Sequence, residues 1–304
     1  MKNQRRWKRF IATLCRTFTF TVACLGMLGT SKALATSGYI ELAKNEHFMG
    51  VADYKILVSR PDGVRIFDIN TKKTQFITRR FGQEFINTSH GLYSISTDNW
   101  VRPVISDYSF AYLLPNDLKS NRPYLAGFSQ DSEYFIYVSV PKEQKNESCM
   151  TTLGYAAGQP KPLWRKSSCD RNGIKWAGTF ILAESIGSHT FDCIRFCTEY
   201  FSLSNGELVN PPQNQIDKLE KLEVLTSIAF PVGCKHMPSI PEISQLPNQK
   251  ILKTPTLEFR YVMDYGECPD GTQVYRSSIG PKNSGDEFDL RSRDVVIYSS
   301  GGKK

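Results

Sequence analysis

Strand-type patterns dominate this chain from Tyr54 onward. Tyr54-Lys55-Ile56-Leu57-Val58-Ser59 is an apolar, β-branched run, and Pro61-Asp62-Gly63 supplies turn chemistry directly after it. Val64, Ile66 and Phe67-Asp68-Ile69 resume a strand, so the segment predicts a hairpin. Asn70 to Lys73 make the next turn, and Thr74-Gln75-Phe76-Ile77 lead out. The same grammar returns at Phe128–Val138, at Glu199–Val209 and around Asp270-Gly271. Asn205-Gly206 fits a type I′ turn. One stretch differs. After Pro211-Pro212, Ile216, Leu219, Leu222 and Leu225 recur at spacing three, which predicts one short helix over 213–225, although Val224 and Thr226 could begin a strand instead.

Turn centres near Thr71, Asn116, Gly158, Asn205 and Asn248 lie 45, 42, 47 and 43 residues apart. A four-stranded propeller blade takes about 40–50 residues, so this interval predicts an all-β, propeller-like fold of five or six blades. The alternative is another all-β multi-sheet fold, such as two sandwiches, whose turns recur at shorter spacing. Phe128-Ser129-Gln130-Asp131 followed by Tyr134-Phe135-Ile136-Tyr137 resembles the blade motif of Tol-type periplasmic and tryptophan-aspartate-type propellers. Val64 to Phe76 is similar to the strand-turn-strand of those repeats. Gln130 stands where the motif usually has Pro and Ser132 where it has Gly, and no Gly-His or Trp-Asp pair recurs. The resemblance implies a scaffold whose loops bind partners.

The first 35 residues change the charge balance. Lys2, Arg5, Arg6, Lys8 and Arg9 precede an uncharged run from Thr17 to Ser31, and Ala33-Leu34-Ala35 offers a small-x-small cleavage site. The expectation is a cleaved secretory signal over 1–35 and a single domain over 36–304. The run is too short for a spanning helix, which needs about 20 apolar residues. Lipidation at Cys24 is disfavoured by Thr21, and the Arg5-Arg6 pair fits a twin-arginine signal badly. Of 38 Lys and Arg, seven lie in this leader, which leaves 31 against 30 acids. The electrostatic case for nucleic acid disappears with the leader.

Six cysteines remain after it: Cys149, Cys169, Cys193, Cys197, Cys234 and Cys268. In an oxidising compartment an even count predicts three disulfides, and six cysteines permit 15 pairings. Neighbour pairing (149 with 169, 193 with 197, 234 with 268) is the simplest. A zinc shell of Cys193, Cys197, Cys234 and His236 is the competing arrangement, with a spacing unlike ordinary zinc knuckles.

Catalytic motifs are scarce. No G-x-S-x-G, phosphate-binding glycine loop, H-E-x-x-H or complete calcium loop occurs. Ser188 adjoins His189, but neighbours on a strand face opposite sides, so a surface loop is the better account. His47, His90 and His189 have no ligand-like company in sequence. Asp264, Glu267 and Asp270 form an acidic turn better read as solvated than as a cation site. Asn87 and Asn146 head glycosylation sequons, and Trp100, Trp164 and Trp176 suit packing between blades. No catalytic, cofactor or metal residue is assigned. The expected function is an exported, periplasmic or secreted, non-enzymatic module that binds another protein at a propeller rim or face, with an immunity or inhibitor protein as the sharper form. The alternative is a lactonase-like hydrolase with a metal in the central channel. Neither nucleic acid nor a transmembrane helix in the mature chain is expected.

Overall fold

The computed structural model describes residues 37–129, 131–142, 149–169, 171–177, 181–186, 197–210, 228–237, 257–281 and 293–301. Apart from one 3-10 turn at Asn116–Leu118, every described element is a strand. An N-terminal strand β1 (Ser37–Glu41) is followed by β2 (His47–Ala52), β3 (Lys55–Arg60), β4 (Gly63–Asp68) and β5 (Thr74–Thr78), which form the first four-stranded antiparallel sheet. The second holds β6 (Glu84–Thr88), β7 (Gly91–Ile95), β8 (Trp100–Ser106) and β9 (Tyr112–Leu113). The third holds β10 (Asn121–Phe128), β11 (Tyr134–Pro141), β12 (Met150–Ala156) and β13 (Trp164–Ser168). The fourth holds β14 (Arg171–Ala177), β15 (Ile181–Ile186), β16 (Cys197–Ser202) and β17 (Leu208–Val209). The fifth has the order β18 (Lys235–Met237), β19 (Leu257–Glu267), β20 (Gln273–Pro281), β21 (Arg293–Ser299) and then β1. Each sheet is thus an up-and-down meander of strands consecutive in sequence, with β1 returning to the last one.

Packing arranges these sheets as propeller blades. On β3, Leu57 packs with Val64, Phe85 and Leu92, between the first and second sheets, while Ile56 and Val58 pack with Phe230, Val274 and Val296, between the first and fifth. On β11, Phe135 and Tyr137 join Tyr93 and Tyr112 of the second sheet, while Ile136 and Val138 join Trp164 and Phe201 toward the fourth. A strand covered on both faces has no polar side to display, which is why these strands read as unbroken apolar runs. In the first sheet burial falls from inside to outside. β2 is almost wholly buried, whereas β5 is almost wholly exposed.

Two seams close the ring. Outside, β1 pairs with β21 from Ser37↔Ser299 to Glu41↔Val295. Inside, Val51 N donates to Ala229 O at 2.9 Å and Ala229 N donates to Met49 O at 3.1 Å, a parallel bridge between the first strand of the first sheet and the chain entering the fifth. Gly50 permits that approach: its φ is +112°, and a Cβ there would overlap the Ala229 carbonyl. Asn87 of β6 adds a third tie, donating from Nδ2 to Met49 O (2.9 Å) and Ala229 O (3.1 Å).

The predicted hairpins stand, with one correction. Asn205 is not among the residues at positive φ, so Asn205-Gly206 is no type I′ turn. Gly206 alone takes φ +70°, and Ser202 N donates to Glu207 O while Gly206 N donates back to Ser202 O. The β4–β5 turn repeats that pattern with Asp68, Lys73 and Lys72 at φ +58°. Ser132, where the propeller motif has Gly, does occupy the left-handed region at φ +63°. The turn interval is also corrected. Thr71, Gly158 and Asn205 lie between third and fourth strands of their sheets, but Asn116 lies in the link from β9 to β10. First strands begin at His47, Glu84, Asn121 and Arg171, a less even repeat than the turns suggested. Five sheets stand among the described residues; the predicted helix over 213–225 and the turn at Asn248 lie outside them.

The sulfurs of Cys149 with Cys169 and of Cys234 with Cys268 are bonded, as neighbour pairing expects. Cys193 and the side chain of Cys197 lie outside the described residues. Among the described residues no helix is long and apolar enough to cross a membrane.

Gly50→Ala should destabilise the protein by about 2 kcal/mol or more, since it combines forbidden φ with backbone overlap. Urea unfolding followed by circular dichroism measures it; wild-type stability would mean that the inner seam is dispensable.

Candidate functional site

The two ends of the inner strands are built differently. At the turn end, His90 follows β6 in the short link to β7 and is 6% exposed. Its Nδ1 lies 3.1 Å from Asp107 Oδ1, and its Nε2 lies 2.7 Å from Ser132 Oγ in the next sheet. With the carboxylate accepting from Nδ1–H, Nε2 accepts from the serine hydroxyl. Tyr108 stacks on the imidazole at 4.0 Å between centroids, and the Phe128 edge meets it at 4.7 Å. Burial lowers the His90 pKa below its ordinary 6.5, against the pull of Asp107.

These distances are those of a Ser-His-Asp triad, but the exposures run in the opposite order. The Asp107 side chain is 70% exposed, whereas Ser132 is 9% exposed. A cavity of about 470 Å³ on this side is lined by His90, Ser106 and Asp107 and does not reach Ser132. A nucleophile must meet its substrate, and here the buried member is the serine. The cluster therefore acts as a tether between the second and third sheets.

At the opposite end, where the inner strands begin, a cavity of about 310 Å³ spans the starts of β2, β6 and β10. His47, Ser59, Arg79, Glu84, Asn87, Arg122 and Tyr124 are among its polar lining, and Phe48, Phe85 and Leu125 among its apolar lining. The register of β2 shifts between Phe48 and Gly50, and that of β10 between Pro123 and Leu125. Each bulge takes one residue out of strict alternation. At Tyr124 it leaves a ring 46% exposed directly before the buried half of β10, Leu125–Phe128. Arg79 pairs with Glu84 at 3.4 Å, and among the described residues Arg122 has no acidic partner. Asn87 is 2% exposed and, with both amide hydrogens turned to Met49 O and Ala229 O, its Oδ1 has no donor.

Residues singled out in the sequence fall as follows. His47 lines this mouth, and His90 forms the tether. Cys234, one member of the competing zinc shell, is bonded to Cys268, which removes that thiolate; the side chain of His236 lies outside the described residues. Ser188 and His189 also lie outside them. The acidic turn is internally engaged. Asp264 accepts from Arg276 Nε at 2.8 Å, Asp270 accepts from Thr272 N and Oγ1, and Glu267 accepts from Tyr265 OH at 3.3 Å. No group of three metal-ligating side chains occurs among the described residues. Trp164 packs between the third and fourth sheets and donates from Nε1 to Leu203 O at 2.7 Å. The Asn87 sequon is closed to modification by its burial. The partners of His90 are 17 and 42 residues away, too far for any local pattern in the sequence to reveal them. Only Ser132 at a glycine position offered a signal.

No family model and no curated protein sequence matches the chain. Among solved structures it is similar to the hydrazine synthase of Kuenenia stuttgartiensis (12% identity, TM-score 0.35, 89% of this chain and 65% of that one). It is also similar to an oligogalacturonate lyase in complex with manganese (10%, TM-score 0.40, 88% and 96%) and to the N-terminal domain of Nup159 (9%, TM-score 0.32, 84% and 76%). The chain spans just under two thirds of the hydrazine synthase chain. At TM-scores below 0.5 these likenesses bring no activity, ligand or partner to it.

The lowered His90 pKa makes a pH prediction. Between that value and 6.5 the unfolded chain binds the proton and the folded one does not, so stability rises with pH there. The His90 contribution is complete above about pH 6.5 and is lost as the pH falls through the lowered value. Urea midpoints measured across that window should flatten in His90→Gln; an unchanged slope would remove His90 as the cause.

Proposed function

We propose that this protein is an exported, non-enzymatic interaction module whose propeller-like disc docks another protein on the face where the inner strands begin. One observation carries this most directly. Phe81, in the link from β5 to β6, is completely exposed to solvent. It sits two residues from the cavity-lining Arg79, and Tyr124 is half-exposed on the same cavity. A phenylalanine held in water forgoes about 1.5–3 kcal/mol of burial, a cost that contact with a partner recovers. Aromatic and arginine side chains are also those that most often dominate binding energy. The uncharged leader run with its small-x-small site and the bonded cysteine pairs support export. A rigid ring suits inhibition, so an immunity or inhibitor protein is the sharper version.

The competing function, a lactonase-like hydrolase, needs carboxylates and amides converging on a metal in the channel. At the level of Asn87 the inner strands of the first and second sheets and the chain entering the fifth instead meet through the Asn87 amide and the Met49 and Ala229 carbonyls. The Asn87 Nδ2 donor and both carbonyls are engaged with one another, which favours the binding module.

Phe81→Ser should lower partner capture about tenfold or more, as loss of an interface anchor does. The bait is the intact chain, presented to proteins of its own compartment with quantitative mass spectrometry as readout. The melting temperature should not move, because the folded protein does not bury this ring. Equal capture by Phe81→Ser, or no capture by the wild type at high concentration, would overturn the proposal.

A further inference from the structure

The outer edge of the first sheet carries a second inference, independent of docking through Phe81. We propose that β5 accepts an extended segment of a partner protein as an added strand, and that this segment carries acidic residues at both ends. β5 pairs with β4 alone, without a register shift. At the two ends of that ladder Asp68 N donates to Lys73 O at 2.9 Å and Arg79 N donates to Asp62 O at 2.8 Å. Hydrogen-bonded residues alternate in an antiparallel pair, so Gln75 and Ile77 also turn their backbone to β4. The N–H and C=O groups of Thr74, Phe76 and Thr78 therefore point outward, and none has a partner among the described residues. Such an edge is ordinarily blunted by shortness, a charge, a proline or a bulge. The outer strands β9 and β17 have two residues each, and β13 carries Arg165 and Lys166. β5 has none of these devices: Thr74-Gln75-Phe76-Ile77-Thr78 is uncharged, without proline, and exposed at every position but Ile77.

Charge selects the occupant. Lys72 and Lys73 precede the strand, and Arg79 and Arg80 follow it. Arg79 pairs with Glu84 at 3.4 Å, but Lys72, Lys73 and Arg80 are exposed and join no ion pair among the described residues. Acids nearby are already engaged: Asp62 holds Arg60, and Asp68 accepts from Asn70 N and Thr71 N. A second copy pairing antiparallel through β5 would set Lys72 and Lys73 against Arg79 and Arg80, and like charges opposite one another repel. An incoming strand with an acid at each end meets the same cations favourably. Phe76, 42% exposed with the Arg60 guanidinium 5.2 Å from its ring centroid, offers apolar surface to a cross-strand neighbour. The edge therefore asks for a short uncharged strand between acidic ends.

Fluorescence anisotropy of the labelled peptide Asp-Asp-Thr-Val-Thr-Val-Thr-Asp-Asp, titrated with the intact protein, tests this. The peptide should bind saturably, and the same core ended by lysines should bind about tenfold more weakly or worse, since like charges then meet. Phe76→Pro should weaken binding about fivefold or more, because it removes an outward donor. The N–H of residue 76 makes no bond to β4, so the melting temperature should hold. Phe76→Thr, which keeps that donor, should weaken binding less. Lys73→Glu combined with Arg80→Glu should turn the preference toward the lysine-ended peptide. No saturable binding of the aspartate-ended peptide would overturn the proposal, as would equal binding of the two peptides or undiminished binding by Phe76→Pro. Should Phe76→Pro unfold, the charge-reversed variant decides, and an unchanged preference there overturns the proposal. Partner capture through Phe81 is measured separately, so failure here leaves the docking proposal intact.

Discussion

The architecture depends on closing a ring of sheets that have no finished face. The first, second and third sheets bury apolar side chains on both sides, so a row of such sheets would end in two greasy surfaces. Bending the row into a ring lets the first sheet cover the last, and Ile56 and Val58 then pack against Phe230, Val274 and Val296. That contact brings β2 and the chain at Ala229 closer together than a side chain at position 50 would allow. Gly50 meets the demand by placing no Cβ against the Ala229 carbonyl. The outer seam between β1 and β21 works differently, tying together segments from opposite ends of the described chain with an ordinary ladder. Opening either seam would release the burial of a complete inter-sheet core.

Closure also explains the asymmetry between the two ends of the inner strands. At the turn end, short links bring side chains of adjacent sheets within reach, and His90 uses this to hold Asp107 and Ser132 at once. Its ring is enclosed by Tyr108 and Phe128, so little there is left to bind anything else. At the strand-start end, longer links and two bulges keep the backbone apart. Polar side chains line the resulting hollow without saturating one another. Among the described residues, Arg122 there has no acidic partner. Rigid walls with unspent polar groups are what a recognition site needs.

Much of the strand pattern was legible locally. Pro61-Asp62-Gly63, Asp270-Gly271 and Phe128-Ser129-Gln130-Asp131 carry turn chemistry that acts over four or five residues, and the hairpins stand where these motifs put them. Neighbouring cysteines were legible for a similar reason, since β-meanders bring nearby segments together. The repeat length was read less well, because Asn116 resembles a blade turn yet belongs to a link between sheets. The Asn205-Gly206 pair misled in its turn type: the longer loop needs left-handed backbone at Gly206 alone.

By itself, then, the sequence determined what short-range chemistry controls: the strands, the places of most turns and the all-β character, whereas the cysteine pairing stayed one choice among 15 until the structure joined Cys149 to Cys169 and Cys234 to Cys268. Only the tertiary structure decided which residues meet across sheets. His90, Asp107 and Ser132 come together from three separate links, and Asn87 finds its acceptors in β2 and at Ala229. Contacts at such separations follow from ring curvature and inter-sheet register, which no local pattern encodes. The exposed Phe81 is likewise a property of the folded chain, because exposure is defined only once the other surfaces have been covered.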